Sequence, residues 1–322
     1  MVMAERLAIG PQDQPDDGTG AASPTPIWKS AVAALKNQPD GRRETPGVVP
    51  LPRVNISGER EIRVIVERAQ SLVEERLFES ALFLLDRLID AVESNGLHQP
   101  APGDEPRAFR NAFEAAMYAR LYEPPRPVVK APEALFGAYI IHGWVSFELG
   151  FHQDACQSFA KAMALNPISC APVFEVGEMC KARGDWTGFL AYTRRAFELA
   201  YTGGSLARAY RNRGYFEIER ANFDLAAALH WHSLTFDPDS DMAWNELAYI
   251  HERTGRPLVE PPADEIRSTL AASGIQLAAC ADVVEVALAL ARESLAAGEY
   301  ETAALATSIL SDVGLEPAAP IR

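Results

Sequence analysis

The chain has 322 residues, 48% of them hydrophobic and 23% charged, which suits a soluble globular protein with about two domains' worth of chain. Acidic residues outnumber basic ones 44 to 30, a net charge of -14, so no nucleic-acid or membrane partner is expected, because Lys and Arg supply most of the affinity for phosphate. The four cysteines (Cys156, Cys170, Cys180, Cys280) make no CxxC pair, no apolar run approaches the roughly 20 residues that span a bilayer, and the first residues carry no secretory signal, so a cytoplasmic protein with reduced thiols is expected.

Residues 1–57 hold clusters of Pro, Gly, Asp, Ser and Thr and read as a disordered leader. Within it Ile27, Trp28, Val32 and Leu35 have near-helical spacing. They form either a nascent helix in a tail or a segment that docks on the body or on a partner. Residues 58–132 read as an N-terminal helical region with one degenerate repeat over 60–95. A Pro-rich loop follows at Asn95–Glu105, then an extra helix over 106–122 opened by Pro106, then a second Pro-rich loop at Glu123–Pro132. Residues 133–257 form the core, and residues 258–322 a C-terminal helical region with a degenerate capping repeat over 282–316. No alternating strand pattern bounded by hairpin turns occurs, so the fold class is all-α.

Self-comparison gives the internal period. Gly143, Gly177, Gly214 and Ala248 are separated by 34, 37 and 34 residues. The same offsets carry Gly150 to Gly184, Ala221 and Gly255, and Ala155 to Phe189 and Ala226. The three extra residues of the middle step fall near Thr202, Gly203 and Gly204, so they lengthen a turn and spare the helices. Each unit therefore encodes two antiparallel helices. A small residue such as Gly143 or Gly214 admits the second helix, Gly150 or its equivalent ends the first, and Asn166-Pro167 or Asp237-Pro238 ends the second. The fourth unit keeps its first helix, but Pro257 breaks the continuation, and a displaced second helix restarts near Ala263–Ala272.

The segments AYIIHGWVSFELGFHQDACQSFAKAMALNP, ARAYRNRGYFEIERANFDLAAALHWHSLTFDP and DMAWNELAYIHERTG resemble the tetratricopeptide repeat (TPR) family. The resemblance covers residues 136–256 well. It implies a right-handed superhelical solenoid of antiparallel helix pairs, with the first helices lining a concave groove. Applying the offsets to one helical face then gives a row of Ile140, Phe174, Arg211 and Asn245, and a next row of Trp144, Glu178, Tyr215 and Tyr249. With Arg208 these residues are the expected partner-binding groove. Aromatic and Arg side chains are the types enriched at binding hot spots, and an Asn amide can pair with an extended peptide backbone. Each aromatic either faces the groove or packs against the next helix or the tail.

No catalytic residues, metal ligands or cofactor sites are expected. The sequence has no phosphate loop, dinucleotide fingerprint or GxSxG elbow. His230 and His232 point roughly 200° apart on a helix, so they cannot share one ion by themselves. Cys156, Cys170 and Cys180 read as small buried hydrophobes. The functional expectation is a non-enzymatic adaptor or scaffold that binds a protein or peptide. The alternatives are a non-catalytic regulatory subunit or peptide-sensing regulator acting through a separate protein, and a helical-repeat enzyme. The sequence leaves the oligomeric state open.

Overall fold

The computed structural model describes residues 58–94 and 104–314, so the leader, with its Trp28 segment, lies outside the described residues. The described chain is helical almost throughout. Helix α1 (Glu59–Glu74) opens with Glu59 and Glu61, whose charges suit a helix N-terminus, and buries Ile62, Val66, Ala69 and Leu72 on one face. It forms a hairpin with α2 (Phe78–Ser94), and both helices pack on α4 (Glu133–Glu148). Between them lies α3 (Ala112–Tyr122), capped by the Asn111 side chain, which accepts from the Glu114 N–H. A two-residue parallel pairing of β1 (Pro106–Arg107) with β2 (Val129–Lys130) ties together the segments flanking α3.

The core continues as hairpins: α4 with α5 (His152–Leu165), α6 (Cys170–Ala182) with α7 (Trp186–Leu199), and α8 (Gly203–Glu219) with α9 (Phe223–Ser233). Each second helix also meets the first helix of the next pair, α5 on α6, α7 on α8, and α9 on α10 (Asp241–Thr254). Side-chain caps mark several entries: Ser169 on α6, Asp185 on α7, Thr202 on α8 and Ser240 on α10. The aligned turns share one backbone conformation, with positive φ at Arg76 (60°), Gly150 (82°), Gly184 (71°), Ala221 (56°), Gly255 (69°) and Gly298 (77°). The periodic glycines thus mark a real register, and Ala221 occupies a left-handed position that costs an L-residue roughly 1–2 kcal/mol.

The close approaches fall where the small residues predict them. A Cβ on Gly143 would stand 2.7 Å from the Phe159 ring, and one on Gly214 would stand 2.6 Å from His230 Nε2. In the second unit the contact at Gly177 is looser, at 3.6 Å from Tyr192, because Thr193 stands where the other units place a ring.

Two features differ from the sequence reading. Helix α11 (Ala263–Ala272) begins where the displaced helix was expected, but it packs on α9. Pro257, Pro261 and Pro262 interrupt the helical path, and Ile266 and Leu270 bury their side chains in the main core cluster. The hairpin α12 (Ala281–Ala297) with α13 (Tyr300–Asp312) forms as expected, yet it does not cap the α10 end. It folds back onto α3, where Val283, Ala287, Ile309 and Leu310 join Phe113 and Met117 in one buried cluster. Residues 275–280 are the strap that carries the chain there. The Tyr210 hydroxyl donates to the Gln276 carbonyl (2.8 Å), His232 Nε2 to the Leu277 carbonyl (3.0 Å), and the Gln276 amide to the Phe197 carbonyl (3.3 Å). Arg120 of α3 pairs with Asp282 (3.1 Å) and Glu285 (3.0 Å) of α12.

Substitutions at the hairpins test this packing. Gly214→Leu drives a large side chain into the α8–α9 contact and is expected to cost about 1–3 kcal/mol or more in urea denaturation. Ala221→Gly relieves the left-handed turn and is expected to stabilise by up to about 1 kcal/mol in the same measurement.

Candidate functional site

A cavity of about 660 Å³ runs across α4, α6, α8 and α10. Helix α4 contributes Trp144, Phe147 and Glu148 from its C-terminal end. Glu175, Glu178 and Lys181 come from α6, and Arg208, Arg211, Asn212 and Tyr215 from α8. Helix α10 contributes Met242, Asn245 and Glu246 from its N-terminal end, and His230 of α9 forms part of the floor.

Of the expected groove residues, Trp144, Glu178, Arg208, Arg211, Tyr215 and Asn245 are brought together here. Ile140, Phe174 and Tyr249 are not. The cavity crosses the helices obliquely, late on α4 and early on α10, so a row drawn at constant offset leaves it at both ends. Ile140 packs between two core clusters, and Tyr249 packs beside Ile218 and Ile250. Phe174 is 4% exposed, packed in the main core cluster with the Arg208 guanidinium over its ring at 4.5 Å. Sequence reasoning did not place Glu175, Asn212, His230, Met242 and Glu246 in the groove. Their common signal is position, one helical step from the chosen rows or on the second helix behind them.

The aromatics are held in place by the hydrophobic interior. Trp144 meets Phe78 edge-on at 5.5 Å, and Tyr215 stacks on Trp186 at 6.3 Å. Lys181 Nζ sits 4.8 Å from the centre of the Tyr215 ring and pairs with Glu178. The other cations also have partners. Arg208 binds Glu175 (3.1 Å), and Arg211 binds Asp237 (2.8 Å). Arg211 was expected to stand out as a ligand-facing charge. Its side chain is only 10% exposed, and it fastens α8 to the loop after α9. Burial raises the Glu175 carboxyl pKa, against the pull of Arg208.

His230 is the unusual member. It stands where the first unit has Phe159, with its ring against Gly214 as Phe159 lies against Gly143. The side chain is 1% exposed, and neither ring nitrogen has a hydrogen-bond partner. Burial, helped by the charge of Arg211, pushes its pKa down to about 3, so the ring is neutral. His232 faces the opposite side of α9, bonded to Leu277. Among the described residues no group of three or more His, Cys, Asp and Glu side chains is placed to hold a metal ion.

One constellation has the connectivity of a hydrolase triad. Ser158 Oγ donates to His142 Nδ1 (2.8 Å), and His142 Nε2 donates to Asp86 (2.9 Å). Ser158 is 5% exposed and lines none of the described cavities, so this chain of bonds fastens α2, α4 and α5 together instead of presenting a nucleophile. The thiols are similarly withdrawn: burial raises the pKa of Cys170 and of Cys180 to about 12.

The sequence matches no family model and no curated protein. A solved structure, that of BtubC (BKLC) from P. vanneervenii, is similar at 18% identity over 83% of this chain and 96% of its own, with a TM-score of 0.29. A likeness that distant carries no argument about function. No described helix is long and apolar enough to cross a membrane.

The neutral His230 has a consequence for stability. An unfolded chain protonates this residue below about pH 6.5, whereas the folded chain does not until about pH 3. The unfolded state binds the extra proton, so stability falls as pH drops through that window. From pH 7 to pH 5 the loss is about 2 kcal/mol from this group. His230→Phe is expected to remove that part of the slope in denaturant titrations at the two pH values.

Proposed function

We propose that the chain is a TPR-like adaptor whose helix pairs wind into a right-handed solenoid and whose groove binds an extended segment of another protein. The carrying observation is that one cavity spans four first helices and gathers Trp144, Tyr215, Met242 and Asn245 along its length. Met242 is 62% exposed, an apolar side chain left uncovered at a groove edge. The ring of Tyr215 is fixed by Trp186, so little side-chain entropy is lost when a ligand packs on it. A cytoplasmic adaptor role accords with these features and with the paired, mixed charges of the groove. Recognition is by equilibrium binding and involves no bond making or breaking.

The experiment is capture of partners from native-host extract by the full-length protein, then titration of the captured partner against groove variants. Tyr215→Ala is expected to weaken binding by about 2 kcal/mol, roughly thirtyfold, a hot-spot magnitude. Asn245→Ala is expected to cost about 1 kcal/mol, the value of a hydrogen bond to the ligand backbone. Arg194 is exposed on α7, outside the groove, and Arg194→Ala is the control that changes nothing. Because the groove cations are already paired, affinity is expected to change little with added salt. Unchanged affinity in both groove variants overturns the assignment. It moves the site to the cavity of about 560 Å³ between α9, α10 and α11, which Leu258 and Val259 cover.

A further inference from the structure

Ile27, Trp28, Val32 and Leu35 stand at near-helical spacing in a stretch outside the described residues. Lys29 and Lys36 accompany them, and no acidic residue occurs between Asp17 and Asp40, so this stretch is positive in a chain of net charge -14. Four apolar anchors and two cations call for an apolar surface of negative charge within reach. The groove is such a surface. Trp144, Phe147, Tyr215 and Met242 supply apolar contact, and Met242 is 62% exposed. Along its lining Glu148, Glu175, Glu178 and Glu246 face only Lys181, Arg208 and Arg211 as cations. Arg211 is in turn bonded to Asp237, so the lining as a whole is negative.

Reach favours the same surface. The described body begins at Gly58, directly ahead of α1. Helix α1 runs beside α4 in the same direction: Val66 lies against Gly137, and Leu72 shares a buried cluster with Val145, beside Trp144. The 16 residues of α1 measure about 24 Å, so Gly58 stands about one helix length from the α4 end of the groove. The 22 residues between Leu35 and Gly58 span at most roughly 75 Å, ample for that distance. The cavity between α9, α10 and α11 lies at the other end of the succession of hairpins. We propose that residues 27–35 of the same chain dock in the groove, their apolar side chains on Trp144, Tyr215 and Met242, and so compete with a partner for that face. The competition rests on the groove being the partner-binding face; the docking does not. A tether of this length holds the segment at roughly millimolar effective concentration. With an intrinsic Kd of roughly 0.1 mM the segment fills the groove in about nine molecules of ten and weakens a competing ligand about tenfold.

The test has two arms, both on the full-length chain. In the first, Trp28 is replaced by p-benzoylphenylalanine and the protein is irradiated. Peptide mass spectrometry is expected to find residue 28 joined to Met242, Tyr215 or Trp144 of the same chain. Mixing 15N-labelled with unlabelled chain separates same-chain products from those between chains. In the second arm a synthetic peptide of residues 24–38 is titrated against the chain carrying both Trp28→Ala and Leu35→Ala. This variant is expected to bind the peptide with a Kd of roughly 0.1 mM, and the native chain about tenfold more weakly, because its own segment fills the groove. Adding Tyr215→Ala to the variant is expected to weaken the peptide at least roughly fivefold. Lys29→Glu with Lys36→Glu in the peptide is expected to weaken it about threefold. Cross-links to Leu258, Val259 or Phe83 place the segment elsewhere and overturn the proposal. Products between chains, absence of any same-chain product, or equal peptide affinity of the native chain and the variant overturn it too. If partner binding is nevertheless lost in Tyr215→Ala, the groove reading stands without the docked segment. Cross-links in the groove with partner binding unchanged in Tyr215→Ala uphold the docking and overturn the groove as a partner site.

Discussion

Glu114 is wholly removed from solvent, and a carboxylate there is tolerable only because donors converge on it. The main-chain N–H of Arg110 reaches it at 2.7 Å and the Arg110 guanidinium at 2.6 Å. The Asn166 amide reaches it at 2.7 Å, and the Tyr201 hydroxyl at 2.8 Å. Asn166 belongs to the loop between α5 and α6, and Tyr201 to the loop between α7 and α8. One buried charge therefore seats α3 on two inter-hairpin loops. Breaking such a pair costs about 3–5 kcal/mol, a large share of the stability of an ordinary domain. Once α3 is fixed, its other face receives α12 and α13, and the two halves of the chain close on one another.

The cavity across α4, α6, α8 and α10 is lined by other helices of the chain. The groove is built from paired charges and immobilised rings, an arrangement unlike a bare electrostatic patch. Arg208 lies over Phe174 while bonded to Glu175, and Lys181 lies near Tyr215 while bonded to Glu178. A ligand placed there would gain little net Coulomb energy from ions already neutralised. Its discrimination would then rest on shape and on apolar contact. Those interactions act over short distances and reward a close fit.

The hairpins were legible in the sequence because their determinants are local. A glycine at the crossing point, a turn residue seven positions later and a proline after the second helix all act within one unit. Their shared positive φ at positions as far apart as Arg76 and Gly298 shows why the spacing could be read. The destination of the last hairpin was not legible. Val283, Ala287 and Ile309 suit a stack end and an α3 face equally well, and the choice is made by the strap at 275–280 through main-chain carbonyls that leave no sequence mark. Five of the eight residues that the offsets give line one cavity, as does Arg208 beside them. Phe174 and Tyr249 escaped because the tilt of the helices is a tertiary quantity. His230 escaped because its peculiarity is a missing hydrogen-bond partner, which only packing reveals.

The return of α12 and α13 to α3 sets an order of events during synthesis. Each core hairpin completes its main contacts within about forty residues of chain, so it can settle soon after leaving the ribosome. Phe113 already has Tyr201 of the core to pack on, but the face of α3 that receives α12 and α13 must wait for the last hairpin. At translation rates of about 5–20 residues per second, the nascent chain carries that apolar face uncovered for roughly ten to forty seconds. A chaperone that recognises α3 would be needed for that interval only, and any ribosome that stops short of the last hairpin releases a chain with its apolar seam open.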